Sequence, residues 1–333
     1  MSKKTVALFS DTLLDEVLRP EALMAAVESA FREHGRGAAA PGGVLGVELA
    51  SGGFHLKAAA LSAERGVFVA KLNGNFPGNA AANGGGMPTI QGLVVVSDVA
   101  TGAPLAVMES SSLTRLRTAA ATAVAVRHLA RSDADRLTLV GCGVQAFDQL
   151  RFAQVARPYR QVTLIDAHPE LAQSLAQRVE QELGVEAVAG DDLAAACAAS
   201  AIIITCTTSR TPFLERAMVS AGVLVVAVGA DNPHKVELTA ELVATAKVVT
   251  DSTAQCATIG DLRHAIESGA MQAAAVHAEL GEIVAGTRPG RASASERIVF
   301  DSTGIPIQDA AAAELVLSLT SGRTDVPHFT FRS

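Results

Sequence analysis

The sequence has 333 residues, of which 49% are hydrophobic and 18% charged, and its formal net charge is −7. That length exceeds what one ordinary hydrophobic core serves, so two domains are expected. The apolar content excludes a disordered chain. The acidic balance argues against a nucleic-acid-binding protein, which needs a clustered basic face.

The cysteines, the apolar stretches and the histidines narrow the class of protein further. The four cysteines lie far apart without a C-x-x-C pair, and three of them have the apolar or Gly-rich surroundings of small buried residues in a reducing compartment. The apolar run after Met1 is too short for a secretory signal, and stretches such as Leu193–Thr208 are too short and polar to span a membrane. The eight histidines are scattered. We therefore expect a cytoplasmic protein without a metal site.

The first part of the chain, to about residue 110, combines one amphipathic helix with short β-like runs. The helix is predicted over about Arg19–Glu33. Strands are predicted at Val44–Leu49, Phe54–Ala59, Val67–Leu72, Leu93–Ser97 and Leu105–Met108. Because these runs are closely spaced and separated by Gly and Asn, we expect an antiparallel sheet.

From Leu113 the pattern changes to a long Ala-rich helix, about Leu113–Ala130, followed by alternating strands and helices. The strands are predicted at Leu137–Val140, Val162–Ile165, Ala201–Cys206, Val223–Val228, Val248–Thr250 and Ile298–Phe300. Pro169 and Pro212 indicate first turns of helices between them. Repeated βα units predict a parallel sheet with helices on both faces.

We therefore expect an α/β protein with two domains. Residues 119–307 should form a Rossmann domain with a doubly wound parallel sheet, and residues 1–118 an α+β domain. The last apolar helix, about Ala310–Leu319, follows the final strand. We expect residues 308–333 to join the first domain.

The sharpest motif is G-x-G-x-x-A, formed by Gly141, Gly143 and Ala146 after an apolar run and at the start of a helix. The first glycine permits a tight turn, the second lets the backbone approach a pyrophosphate, and the small third residue lets helix and strand pack closely. Free N–H groups at the helix start bind phosphates. The motif predicts a dinucleotide site.

A carboxylate lies where such a site needs one. Asp166 ends the next predicted strand, about twenty residues after Ala146. There it accepts hydrogen bonds from ribose hydroxyls and repels a 2′-phosphate, which favours NAD, although neighbouring His168 leaves NADP open. Thr207 ends another parallel strand and either lines the cofactor groove or caps a turn.

Four segments resemble the ornithine cyclodeaminase/mu-crystallin family. They begin at Leu113 (LTRLRTAA), Val140 (VGCGVQ), Val228 (VGADNPHKVEL) and Val299 (VFDSTG). The resemblance extends over nearly the whole chain. It implies a homodimer whose subunits have a substrate-binding and dimerisation domain followed by the Rossmann domain. It also implies NAD-dependent chemistry at the α-carbon of a small amino or imino acid.

The resemblance assigns roles residue by residue. Lys71 and Arg117 match anchors of the substrate carboxylate, and Asp231 matches the catalytic acid. The positions around the dinucleotide are Thr89, Gly141, Gly143, Val144, Gln145, Asp166, Thr207, Val228, Lys235 and Ser302. These roles suit the chemistry, because Arg and Lys orient a carboxylate and a carboxyl group can move a proton to or from nitrogen. Without the resemblance, Lys71 would be interpreted as a sheet-edge lysine and Arg117 as a solvated helix charge.

The chain departs from the family pattern in its first domain. Many members carry Pro-x-Arg as a further carboxylate clamp, where this chain has APGGV from residue 40. His55 and Lys57 alternate on one predicted strand face, where an apolar-Pro pair is usual. Lys57 is a candidate replacement clamp, and a solvent-facing edge strand is the alternative. His234 replaces the usual glycine before Lys235.

Three functions are carried forward. The leading hypothesis is NAD(P)H-dependent reduction of an imino acid (ketimine) to an amino acid, or the reverse dehydrogenase reaction. A cyclodeaminase that recycles NAD is the alternative enzyme. A non-catalytic dinucleotide-dependent binding protein is disfavoured by Lys71, Arg117 and Asp231. If His55 and Lys57 hold a second carboxylate, the substrate is acidic, and iminosuccinate is one such imino acid.

Overall fold

The computed structural model describes residues 5–62, 66–80 and 87–331. The chain divides into two compact units, the first made of Met1–Arg117 with Pro306–Ser333 and the second of Thr118–Ile305. Among the described residues, no helix has the length and apolarity that a bilayer crossing requires. All four cysteines are free thiols, and three of them are buried.

The strands follow the predicted order with four additions. They are β1 (Thr5–Phe9), β2 (Ala40–Leu49), β3 (Gly52–Ala60), β4 (Val67–Asn75), β5 (Ile90–Asp98), β6 (Pro104–Glu109), β7 (Arg136–Val140), β8 (Gln161–Ile165), β9 (Glu186–Ala189), β10 (Ile202–Thr205), β11 (Leu224–Ala227), β12 (Lys247–Thr250), β13 (Ala278–Glu279), β14 (Ile298–Asp301) and β15 (His328–Thr330). Prediction missed β1, β9, β13 and β15, which have five residues or fewer. Runs this short carry little period-2 signal.

The helices include all three that were predicted with bounds, at about Arg19–Glu33, Leu113–Ala130 and Ala310–Leu319. They are α1 (Asp11–Val17), α2 (Pro20–Gly35), α3 (Ser110–Leu129), α4 (Ala146–Ala156), α5 (Pro169–Leu183), α6 (Leu193–Ala198), α7 (Ala240–Thr245), α8 (Thr253–Ile259), α9 (Asp261–Glu267), α10 (Leu280–Val284) and α11 (Pro306–Leu319). Pro169 opens α5, as predicted. The helix start predicted at Pro212 is wrong, because the N–H groups of Phe213 and Leu214 both donate to the Glu237 carbonyl and draw this segment into an extended bridge.

The first unit contains a seven-stranded sheet in the order β15-β1-β6-β5-β4-β3-β2. Strands β2 to β6 are antiparallel neighbours in chain order, as predicted. The sheet is nevertheless mixed, because β1 runs parallel to β6. Helix α11 packs against α2, β3 and β4, so one face of the sheet is covered by a helix from the C-terminal end of the chain.

The second unit contains an eight-stranded sheet in the order β13-β12-β14-β11-β10-β7-β8-β9. Every neighbouring pair is parallel, which confirms the predicted doubly wound α/β fold. The chain builds from β7 outward through β8 and β9, and then continues from β10 on the other side of β7. This reversal of strand order is where open α/β sheets bind ligands, beyond the carboxyl ends of the strands.

Candidate functional site

The glycine motif forms the turn between β7 and α4. Gly141 has φ of 96°, and a Cβ there would lie 2.9 Å from the carbonyl oxygen of Cys206. A side chain is therefore excluded by both conformation and space. Gly143 has no atom within 4 Å of a Cβ position, so its backbone stays open to approach. Ala146 begins α4 and is fully buried, which is the close helix–sheet packing that the motif requires.

Three side chains complete this turn. Asp166 follows β8, and its carboxylate accepts the N–H groups of Cys142 (2.6 Å) and His168 (2.8 Å). Val144 is 86% exposed, although it is apolar. Gln145 Oε1 is buried and has no hydrogen-bond partner among the described residues. An open glycine backbone, an exposed apolar side chain and an unused acceptor fit a bound dinucleotide.

Thr207 follows β10 beside the glycine turn. Its hydroxyl and its N–H both donate to Glu237 Oε1, at 2.8 and 2.7 Å. Its methyl carbon Cγ2 lies 2.9 Å from a Cβ position on Gly141. Thr207 therefore shapes the turn through its methyl group, while its donors are committed to the protein. These contacts fit the turn alternative, and the groove-lining role stays a prediction.

Asp231 lies on the loop after β11, and its side chain is about half exposed. Its Oδ1 accepts bonds from Lys235 Nζ at 2.9 Å and from Asn232 Nδ2 at 3.1 Å. Val228 opens this loop and donates its N–H to the Thr205 carbonyl at 2.9 Å. A carboxylate that is reachable by solvent and paired with an ammonium group can exchange a proton with a bound molecule.

Ser302 and Thr89 are the remaining predicted cofactor residues. Ser302 follows β14, is buried, and its hydroxyl donates to Asp251 Oδ2 at 3.3 Å. Thr89 belongs to the first unit, where its carbonyl accepts the N–H of Phe76 at 2.8 Å just before β5. These contacts do not test either role, which stays a prediction.

Lys71 and Arg117 meet at a buried carboxylate that the sequence analysis missed. Asp309 Oδ1 accepts bonds from Lys71 Nζ at 2.9 Å and from Arg117 Nε at 3.0 Å. Arg117 also donates to Gln308 Oε1 at 2.8 Å. Both cations are at most 4% exposed, so the sheet-edge and solvated-helix interpretations of these residues are wrong. The available signal was a Gln-Asp pair at the start of the apolar helix α11.

The charges of Lys71, Arg117 and Asp309 shift the pKa values of Lys71 and Asp309. Burial lowers the pKa of Lys71 to about 7, although Asp309 opposes this shift. Burial alone would raise the pKa of Asp309, but the charges of Lys71 and Arg117 lower it. An added carboxylate would stabilise the protonated Lys71, so the triad suits an anionic ligand.

Lys57 and His55 share the sheet face of Lys71. Lys57 lies directly opposite Lys71 in the register of β3 and β4, and His55 lies opposite Asn73. Because side chains alternate along a strand, Lys57 and His55 point to the α11 side of the sheet. The charge of Lys57 further lowers the pKa of Lys71. The edge-strand alternative for Lys57 is therefore not supported.

The fold and the glycine turn define a dinucleotide-binding protein, and the comparisons place it in a family. The chain matches the ornithine cyclodeaminase/mu-crystallin family over residues 3–323 and belongs to that family. It is 33% identical over 303 residues to an alanine dehydrogenase of Archaeoglobus fulgidus, with 91% of each chain covered. An iminosuccinate reductase of Paracoccus denitrificans is 38% identical over 251 residues, which cover 75% of this chain and 76% of that protein.

Solved structures agree with the sequence comparison. An archaeal alanine dehydrogenase dimer with bound NAD superposes with a TM-score of 0.93 at 31% identity, covering 98% of this chain and all of that one. A Thermococcus litoralis Δ1-pyrroline-2-carboxylate reductase, in complex with NADH and L-proline, has a TM-score of 0.88 at 30% identity and covers 95% and 98% of the two chains. The Rossmann-type fold predicted from the sequence is confirmed.

Proposed function

We propose that this protein is an NAD(P)H-dependent reductase of a small imino acid, which also runs the reverse amino-acid dehydrogenase reaction. The observation that carries the proposal is the open glycine turn with Asp166 at its edge, in a chain that aligns over nearly its full length with NAD- and NADH-bound relatives. Those relatives are an alanine dehydrogenase and a Δ1-pyrroline-2-carboxylate reductase.

The residues of the chain supply binding and proton transfer. Lys71 and Arg117 hold the substrate carboxylate, which orients the imine carbon. Asp231 gives a proton to the imine nitrogen, and in the reverse direction it takes one from the amine. When bound, the reduced nicotinamide supplies the hydride that the imine carbon accepts. The C=N double bond thereby becomes a C–N single bond with one new C–H bond.

NAD is the proposed cofactor in preference to NADP. The Asp166 carboxylate lies against the Cys142 N–H of the glycine turn. A 2′-phosphate placed beside this carboxylate would meet like-charge repulsion. Exposed His168 follows two residues later, so NADP remains a second cofactor to be assayed.

The cyclodeaminase reaction is the alternative, and one assay separates the two. Purified protein is supplied with NADH or NADPH and with a panel of 2-oxo acids plus ammonia or methylamine, cyclic imines, and ornithine. A reductase oxidises one NADH or NADPH in every turnover, so the absorbance of the reduced nicotinamide falls. A cyclodeaminase releases ammonia from ornithine without net absorbance change. Ammonia release without nicotinamide oxidation on any imine would refute the reductase.

One observation favours an acidic substrate as a second candidate. Lys57 lies opposite Lys71 in the register of β3 and β4, and the charges of Lys57 and Arg117 both lower the pKa of Lys71. Asp309 is the buried carboxylate bound to Lys71 and Arg117. The charges of three cations act on this one buried carboxylate, and such a set suits a substrate with two carboxylates, such as iminosuccinate. Faster reduction of iminosuccinate than of neutral and cyclic imines supports this candidate, and efficient turnover of ornithine refutes it.

We also propose a homodimer formed through the face of the first unit's sheet that lies opposite α11. Leu45, Leu56, Leu72 and Leu93 are register partners in one row across β2 to β5. Three of them are 47–60% exposed. An exposed apolar face of this kind marks a protein interface, and the archaeal relative is described as a dimer. Leu93→Glu should yield monomer in analytical ultracentrifugation, and an unchanged dimer would refute this interface.

The four free thiols suit a reducing compartment, and we therefore propose a cytoplasmic location. Fractionation of cells producing the protein from its own gene tests this location.

A further inference from the structure

A buried carboxylate that the sequence analysis did not assign joins the carboxyl ends of β10 and β11. Glu237 is completely buried. Its Oε1 accepts the N–H and hydroxyl of Thr207, at 2.7 and 2.8 Å. Its Oε2 accepts the Thr205 hydroxyl at 2.7 Å and the Gly229 N–H at 2.9 Å. One side chain thus holds four donors from two neighbouring strand ends.

The surrounding backbone is shaped to this carboxylate. A Cβ on Gly229 would lie 2.4 Å from Glu237 Oε1 and 2.6 Å from the Thr207 carbonyl oxygen, so only glycine fits. From the opposite side, Asp261 Oδ1 accepts the N–H groups of Glu237 and Leu238, both at 2.8 Å. Glu237 is therefore fixed through its own backbone as well as through its side chain.

We propose that Glu237 is the positioning residue for Asp231, which it serves by locking the Gly229–Asp231 segment onto the Thr207 loop. The inference rests on the proposed proton-transfer role of Asp231. That residue follows Gly229 closely, and its N–H donates to the Gly229 carbonyl at 3.0 Å. The half-exposed Asp231 side chain depends on this backbone for its position. A displacement of about 1 Å at a reacting group can lower a rate about 100-fold.

Glu237→Gln breaks the lock selectively. Both carboxylate oxygens accept a backbone N–H, whereas the amide nitrogen of Gln can only donate. The Thr207 hydroxyl already accepts the Ser209 N–H at 3.1 Å, and it keeps that bond and its own donation to residue 237 only if an oxygen faces it. The Thr205 hydroxyl can turn to accept. The Gln oxygen therefore faces Thr207, and its NH2 group opposes the Gly229 N–H.

This orientation predicts a split between chemistry and cofactor binding. In E237Q, kcat for imine reduction should fall about 10- to 100-fold, while the Kd for NADH, measured by fluorescence titration, changes less than about threefold. Gly229→Ala displaces the same carboxylate through a Cβ that would lie 2.4 Å from Oε1, and its kcat should fall likewise. The kcat of the E237Q/G229A double variant should be little lower than that of the worse single variant, because both substitutions disrupt the same Glu237 lock.

Thr138→Val is the matched control for a purely structural loss. Thr138 is a fully buried hydroxyl of β7 in the same sheet, bonded to the Ala196 carbonyl and to Ser200. This variant should lower Tm, yet keep wild-type kcat. The inference would be overturned if E237Q and G229A fold and keep wild-type kcat. It would also be overturned if T138V, with a lowered Tm, loses as much kcat as E237Q does. If the wild type itself reduces no imine, the proposed function fails. If Asp231→Asn is inactive while E237Q is fully active, the positioning role alone fails.

Discussion

The buried triad of Lys71, Arg117 and Asp309 predicts that removing its negative charge lowers the stability of the fold by an amount that depends on pH. Asp309→Asn removes one negative charge and keeps the shape and the acceptor oxygen that receives Lys71 Nζ and Arg117 Nε. Both cations are then buried without a counter-charge. Breaking a buried ion pair in this way costs about 3–5 kcal/mol, which is a large part of the stability of an ordinary domain.

The loss should depend on pH because Lys71 can deprotonate. Burial lowers its pKa to about 7 in the wild type, against the opposing effect of Asp309, so the variant's pKa lies below 7. Between these two values the native variant binds fewer protons than the native wild type, and its stability rises faster with pH. The destabilisation is therefore full in acid, where both proteins keep Lys71 charged, and shrinks as pH rises through 7. Above that pH only the contact with Arg117 is lost.

Urea unfolding at several pH values between 5.5 and 9 measures this effect. Asp325→Asn is the matched control, because Asp325 pairs with Arg323 in the same unit but at the exposed surface. That variant should unfold like the wild type at every pH, since exposed pairs contribute little. A D309N variant with the same loss at both ends of the pH range, or with no loss, would refute the account of the triad.

Three further variants test individual residues. Asp231→Asn should keep NADH affinity and lower kcat by roughly 10²–10⁴-fold, because proton transfer is removed; steady-state kinetics with wild-type kcat would end that assignment. Asp166→Ser should raise the ratio of kcat/KM with NADPH to that with NADH, since the like-charge repulsion is gone. The ratio is the relevant measure because the Cys142 N–H also loses its acceptor, and an unchanged ratio contradicts the role. Lys57→Ala should raise the substrate KM roughly 10- to 150-fold with NADH Kd unchanged, as loss of a charge-assisted hydrogen bond implies; an unchanged KM on every substrate returns Lys57 to a structural role.

The parallel sheet was predictable because each of its inner strands is a short apolar run between turn residues, and the glycine motif marks where the sheet begins. The mixed order of the first sheet was not, because β1 is five residues long and pairs with a strand about a hundred residues away. Local sequence carries no record of such a partner. Pro212 shows the converse limit, since a good helix-start residue is overridden when two N–H groups find the Glu237 carbonyl.

The candidate site shows the same division between local and long-range information. Gly141, Gly143 and Asp166 could be predicted because the chemistry of a tight turn and a ribose-binding carboxylate is written in adjacent or regularly spaced residues. Asp309 could not, because its partners Lys71 and Arg117 are 238 and 192 residues away along the chain, and an acid beside an apolar helix has many ordinary interpretations. Glu237 follows Lys235 by only two residues and was still missed, because its four donors come from two other strand ends. For a buried carboxylate, the identity of its donors decides whether it binds, positions or repels, and that identity exists only once the sheet has formed.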